Sequence, residues 1–180
     1  FPGGVRDTGR GRIVFGLWEN EERAASDAGG RMESILRTFR EAGITAEAAP
    51  RLDRALWEKA MANLAINPLG ALARVRNGVV GTDPHLSAVG KKVLEEARAV
   101  AAAEGVSIGR EEAEEIFRST AAATAENESS MLRDLLSGKR TEIDHLNGAV
   151  ARRAKERGMA APLNSALAAW VRSYHPGARP

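Results

Sequence analysis

The segment LWEKAMANLAINPLG, residues 56–70, is apolar enough to belong inside a domain, yet it carries Lys59, Asn63 and Asn67 at four-residue intervals, with Pro68 directly after. Four residues along an α-helix turn about 400°, so these side chains drift only about 40° per step and share one face. Trp57, Met61 and Leu64 form a neighbouring stripe suited to a core, which leaves the lysine and asparagines at the core's edge, in a position to line a cleft. Pro68 lacks an N–H and crowds the carbonyl four residues back. The helix is therefore expected to kink or break near Asn67 and to free backbone polar groups in mid-domain. A plainer alternative makes Lys59 a snorkelling surface side chain and has the asparagines satisfy the carbonyls that Pro68 leaves unpaired. Spacing leaves both readings open, although two poor helix formers on one apolar helix need some compensation.

Around this helix the pattern is overwhelmingly helical. Val5 to Thr8 and Arg12 to Trp18 read as short edge strands, the second alternating with Ile13, Phe15 and Leu17 on one face. From Glu19 a helix is expected, with Ala24, Met32, Ile35, Leu36 and Phe39 at helical spacing and Gly43 as its stop. Ile44 to Ala49 reads as extended, and the helix bearing the opening motif starts near Arg51. RVRNGVVGTDP reads as a glycine-rich turn, with Asn77-Gly78 as a turn dipeptide and Asp83-Pro84 as a helix start. Helices are expected over His85 to Glu104, ended by Gly105, and over Arg110 to about Ala125, with acids in the first turn. Two more follow, Ser130 to Leu136 with Ser130 as N-cap and Glu142 to Arg157 with Thr141 as N-cap, before a last one over Leu163 to Ser173. The total is six or seven helices and almost no sheet after residue 50.

Composition narrows the function classes. With 180 residues, 43% hydrophobic and 28% charged, the chain is a globular protein of one domain, or of one domain carrying a piece of a second. It has no cysteine, which excludes disulfides, thiol catalysis and cysteine-based metal sites. No apolar run approaches the roughly 20 residues needed to span a bilayer, and the start FPGGVRDTGRGR lacks the apolar core of a signal peptide, so a cytoplasmic location is expected. The pI near 9.3 hints at nucleic acid, but bases and acids interleave, as in GREEAEEIFR, and aromatics make up only 4%. No nucleic-acid partner is expected. The start without methionine, running at once into strand-like pieces, suggests a fragment of a longer protein.

A second polar group gathers between residues 127 and 144: Asn127, Ser129, Ser130, Thr141, Glu142 and Asp144. Read plainly, Ser130 is a helix cap and Glu142 a first-turn acid. His85, His145 and His175 show no metal-ligand spacing, and no metal is expected. There is no nucleophile elbow, phosphate loop or GxGxxG, and NGVVG has the wrong glycine spacing for a dinucleotide fingerprint.

Taken in order, GRIVFG, LWEKAMANLAINPLGAL, SSMLRDLLSGKRTEIDHLNG and GMAAPLN resemble the C-terminal domain of ketopantoate reductase (2-dehydropantoate 2-reductase) over nearly the whole chain. The strongest marks are W-x-K-x-x-x-N-x-x-x-N-P and TEID-x-x-x-G. The resemblance implies a mainly α fold, an all-helical domain of the 6-phosphogluconate dehydrogenase C-terminal type, preceded by short β-strands left from a Rossmann sheet. Residues 1–18 would be those strands, 19–49 a connecting helix and linker, and 50–175 the substrate-binding and catalytic domain.

The family binds NADPH on an N-terminal Rossmann domain whose GxGxxG this chain lacks, so the chain alone should bind NADPH weakly and be inactive. In the implied reaction, hydride passes from the nicotinamide to the ketone carbon of 2-dehydropantoate, and Lys59 matches the lysine that protonates the oxygen. Asn63, Asn67, Asn77, Asn127 and Ser130 match positions that hold the substrate's hydroxyl and carboxylate groups. Glu142 matches a glutamate that contacts the nicotinamide ribose and keeps Lys59 charged and oriented. The competing readings are a reductase of another 2-keto acid and a non-catalytic helical module for dimerisation or partner binding. Apolar surface near Ile13, Phe15 and Leu17, left open without the Rossmann domain, could drive pairing of such fragments into a homodimer that the intact enzyme would not show.

Overall fold

The computed structural model describes residues 11–16 and 25–174. They divide into two compact units, Phe1–Leu56 and Trp57–Pro180. In the first unit, β1 (Arg12–Phe15) and β2 (Thr45–Ala48) pair in parallel, Arg12 opposite Thr45 and Phe15 opposite Ala48. The helix α1 (Ala25–Glu41) lies between them in sequence and is stopped by Gly43, whose φ of 75° only glycine adopts at no steric cost. Leu36 and Ala46 are buried, and the rings of Phe15 and Phe39 pack with centroids 5.2 Å apart. The expected strand over Val5 to Thr8, together with Leu17 and Trp18, lies outside the described residues, and the strand containing Ile13 is the four residues of β1.

α2 (Leu52–Ala73) carries the opening motif and is the first correction: it runs unbroken through Pro68. The missing N–H does orphan the carbonyl of Leu64, but that oxygen accepts a hydrogen bond from Asn147 Nδ2 at 2.9 Å, so the helix keeps its course. α2 ends at Arg74, which takes φ 54° while Val75 N donates to Gly70 O at 3.0 Å, the wide turn that commonly closes a helix.

The segment read as a turn is also helical: α3 spans Asn77–Thr82. Its glycines serve close packing. A Cβ on Gly78 would stand 2.7 Å from Ala125 Cβ, and one on Gly81 2.7 Å from Ala121 Cβ. α4 (Pro84–Ala103) follows its expected signals, with Asp83 Oδ1 accepting from His85 N at 3.0 Å and Leu86 N at 2.9 Å. α5 spans Arg110–Ala123, α6 Ser130–Leu136 and α8 Pro162–Ser173.

Two N-termini differ from expectation. The residue capping α6 is Ser129, whose Oγ accepts from Leu132 N at 3.1 Å, so Ser130 is not the cap. α7 spans Asn147–Glu156 rather than beginning at Glu142. Residues 142–146 form turns instead, in which Glu142 O accepts from His145 N and Leu146 N and Ile143 O accepts from Gly148 N. Glu142 is therefore no first-turn acid, and Thr141 caps no helix. With α3 added, the described residues hold eight helices.

The core of the second unit is built on α2. Met61, Leu64, Ala65, Ile66 and Leu69 join Val80, Val93, Leu94, Val100, Phe117 and Val150 in one cluster, while Ala71, Met131, Leu132, Leu135, Ile143, Ala168 and Val171 form a second. Burying a side chain of this size contributes about 1.5–3 kcal/mol each, so the apolar face of α2 outweighs the cost of its asparagines and proline.

Candidate functional site

Because α2 is continuous, Lys59, Asn63 and Asn67 keep the shared face that their spacing predicts, about 6 Å apart along the axis. The drift has a consequence for exposure: Lys59 is exposed, Asn63 half-buried and Asn67 only 9% exposed. The stripe thus descends from solvent into the core, with the ammonium at its wet end. Asn67 meets the second polar group through its backbone, its carbonyl accepting from Ser129 Oγ at 3.4 Å.

Asn77 and Asn127 also come together, Asn77 N donating to Asn127 O at 2.9 Å. Asn77 Nδ2 donates to Thr124 Oγ1 at 3.0 Å, and Thr124 spends its own hydroxyl proton on Thr120 O at 2.8 Å. That order fixes which way the Asn77 amide points, since the hydroxyl can only accept from it. Asn77 Oδ1 is left as a buried acceptor without a partner among the described residues. The side chain thus offers its free valence to a donor such as a hydroxyl group and repels a carboxylate.

Ser130 is exposed beside the buried Ser129, and Asn127 is exposed. Glu142 is exposed in the turns before α7, and no hydrogen bond or ion pair joins it to Lys59. The geometry therefore brings Asn67, Asn77, Asn127 and the Ser129–Ser130 pair into one neighbourhood at the end of α2. It leaves Lys59, Asn63 and Glu142 as separate polar positions on the same unit.

Beside Glu142, Thr141 and Asp144 line an open hollow of about 480 Å³ with Arg140, Arg172 and Tyr174. Arg172 Nε donates to Asp144 Oδ1 at 2.6 Å, and this bond holds the Asp144 carboxyl below its ordinary value. Among the described residues no cluster of histidine, aspartate and glutamate side chains is arranged to hold a metal ion, and no helix is long and apolar enough to cross a membrane.

Sequence reasoning missed a buried polar chain that ties the helices together. Asn147 Nδ2 donates to Leu64 O and, at 3.0 Å, to Asn164 Oδ1, and both asparagines are fully buried. Asn164 Nδ2 in turn donates to Glu96 Oε2 at 2.8 Å. The readable signal was Pro68, since a proline inside a helix announces an orphan carbonyl; what the sequence does not say is that the donor lies 83 residues further on.

The sequence model of the family described as ketopantoate reductase PanE/ApbA, C terminal, matches residues 51–175. A 2-dehydropantoate 2-reductase of Archaeoglobus fulgidus is 41% identical over 82% of this chain and 49% of its own length. One of Halobacterium salinarum is 40% identical over 95% of the chain and 54% of its own length. The chain thus spans about half the length of these relatives. Among solved structures, the PanE/ApbA family ketopantoate reductase of Ralstonia eutropha superposes with a TM-score of 0.78 at 35% identity, over 93% of this chain and 52% of that one. A helical unit built on an unbroken α2, together with these matches, places the chain in the ketopantoate reductase family, of which it carries the C-terminal domain.

Proposed function

We propose that the chain is the substrate-binding and catalytic part of a reductase that converts 2-dehydropantoate to pantoate, with NADPH as the hydride source. The observation that carries this reading is the continuous α2, which presents one ammonium and two neutral amides along a single face, from solvent to core.

The described residues do not form a dinucleotide cradle. The sequence after β1, GLWEN, has one glycine where a pyrophosphate loop needs three. Hydride delivery is therefore assigned to residues outside this chain, with residues 1–18 as the edge of that cofactor domain's sheet and residues 50–175 as the part that holds substrate.

This chain's own chemistry concerns the substrate's oxygen atoms. As the ketone is reduced, its oxygen gains negative charge, and the Lys59 ammonium stabilises that charge and donates the proton. Asn63 and Asn67 hold hydroxyl and carboxylate groups without competing for charge, and Asn77 takes a hydroxyl through its free Oδ1. Asn127 and Ser130 complete the carboxylate end. Glu142 orients Lys59 and meets the nicotinamide ribose. Two copies pair as a homodimer in this reading, and the protein works in the cytoplasm.

The test joins this chain to the N-terminal half of the Archaeoglobus relative and follows NADPH oxidation with 2-dehydropantoate and other 2-keto acids. Lys59→Ala should lower kcat/KM by about 10²–10⁴-fold, the usual weight of a positioned general acid. Unchanged turnover in that variant would sink the acid role. A preference of the parent for another keto acid would sink the substrate assignment.

A further inference from the structure

We propose that Asn147 is a positioning residue for this reaction: its amide pins the turns that carry Glu142 to the stretch of α2 that carries Lys59 and Asn63. The inference rests on the roles proposed above for Lys59 and Glu142.

The direction of every bond in the buried chain is fixed from one end. The Glu96 carboxylate only accepts, and it takes Leu163 N, Asn164 N and Asn164 Nδ2 at 2.9, 2.9 and 2.8 Å. Asn164 Nδ2 also donates to Val93 O at 3.2 Å, so its two hydrogens are spent and Oδ1 must face Asn147. Asn147 then has to donate, and it gives one hydrogen to Asn164 Oδ1 and the other to the Leu64 carbonyl that Pro68 leaves open.

Both ends of this clamp reach the proposed catalytic groups through rigid structure. Leu64 follows Asn63 directly and stands five residues after Lys59 on the same unbroken helix. On the other side, Gly148 N donates to Ile143 O at 2.9 Å and Leu146 N to Glu142 O at 3.1 Å, so fixing Asn147 fixes the turns that hold Glu142. Asn147 Oδ1 itself has no partner among the described residues, a cost an apolar side chain would avoid. What an apolar side chain cannot supply is the donor to Leu64 O that holds α2 against the Glu142 turns, or the second donor that ties this link to Asn164.

Asn147→Asp keeps the shape and sets carboxylate oxygens against two acceptors. In the chimeric reductase described above, kcat per folded molecule should fall about tenfold or more, beyond any rise in KM, because misplacing a catalytic group by an ångström acts on the transition state. Val100→Ala, a buried core change that removes no donor or acceptor of the clamp, should lower stability and leave kcat unchanged. Equal kcat in Asn147→Asp and the parent, or an equal fall in Val100→Ala, would overturn the proposal.

Amide hydrogen exchange on this chain alone separates failure of the clamp from failure of the functional reading, since it needs no turnover. Asn147→Asp, or Asn147→Ser if the first does not fold, should speed exchange in residues 142–146 and around Leu64 selectively, whereas Val100→Ala should not. Unaltered exchange there would reject the clamp even in an active enzyme. A parent without turnover would reject the reading while leaving the clamp to this measurement.

Discussion

Asp144 shows how a single pair sets an acid limit. The Arg172 hydrogen bond lowers its carboxyl below 3.8, so the folded state binds this proton less readily than the unfolded chain. The stabilisation is therefore fully present above the unfolded value and fades as the pH falls through the lower folded one. Arg172→Met should reduce the urea midpoint near neutral pH, and the gap between variant and parent should close on acidification below about pH 4; a gap independent of pH would refute the pairing. Asn77 gives a second residue-scale test. Thr124→Val removes the acceptor of its Nδ2 while Oδ1 is already unpaired, which should cost about 1–3 kcal/mol in urea unfolding. Legibility at this scale divides by distance along the chain. The common face of Lys59, Asn63 and Asn67 follows from helical periodicity alone, and so was readable. The partners of Asn77, Asn147 and Asn164 come from 17 to 83 residues away, set by tertiary packing that no local pattern encodes.

Elements were legible where a local signal decides their ends: Gly43, Asp83-Pro84 and Gly105 each mark the boundary that their chemistry predicts. They were misread where packing overrides the local signal. Pro68 predicts a break, but a donor from another helix satisfies its orphan carbonyl. The two glycines of NGVVG suggest a turn, but they let α3 lie against α5. This gives a paired prediction. In Gly78→Ala the new Cβ would sit 2.7 Å from Ala125 Cβ and 3.0 Å from Ala125 Cα, and because backbone is involved α3 itself must shift. The expected loss is about 1–3 kcal/mol, the usual cost of overpacking. Gly29→Ala in α1 meets nothing within 4 Å. It should stabilise by about 0.5–1 kcal/mol, since alanine replaces glycine within a helix. Chemical denaturation of both variants checks the pair: a gain in Gly78→Ala like that in Gly29→Ala would show that helix propensity, not the α3–α5 contact, governs the position, and a loss in Gly29→Ala would refute the propensity argument.

At the scale of the molecule, the mainly helical class was readable because beyond residue 50 the apolar spacing follows the helical period of 3.6 and does not return to two. What the sequence could not supply is where cooperativity resides, since that depends on which apolar faces find each other. Both core clusters are drawn from Trp57 onward, and among the described residues β1, α1 and β2 contribute no member to either. Among the described residues of the first unit, the buried apolar side chains are Leu36 and Ala46, beside the Phe15–Phe39 pair, with Ile13 and Ile35 left 37% and 41% exposed. Stability concentrated in this way makes a definite expectation. A chain shortened to begin at Arg51 keeps the whole of α2 and every member of both clusters, so its cooperative melt should stay within about 2 °C of the parent's. Trp57, which lies under Arg153 with the guanidinium 5.9 Å from its ring, is a fluorescent reporter that survives the shortening. If the melt instead falls by more than about 5 °C, the loss would correspond to roughly 1 kcal/mol or more contributed by the removed residues, and the helical unit would have to be counted as folding only with its sheet-bearing neighbour.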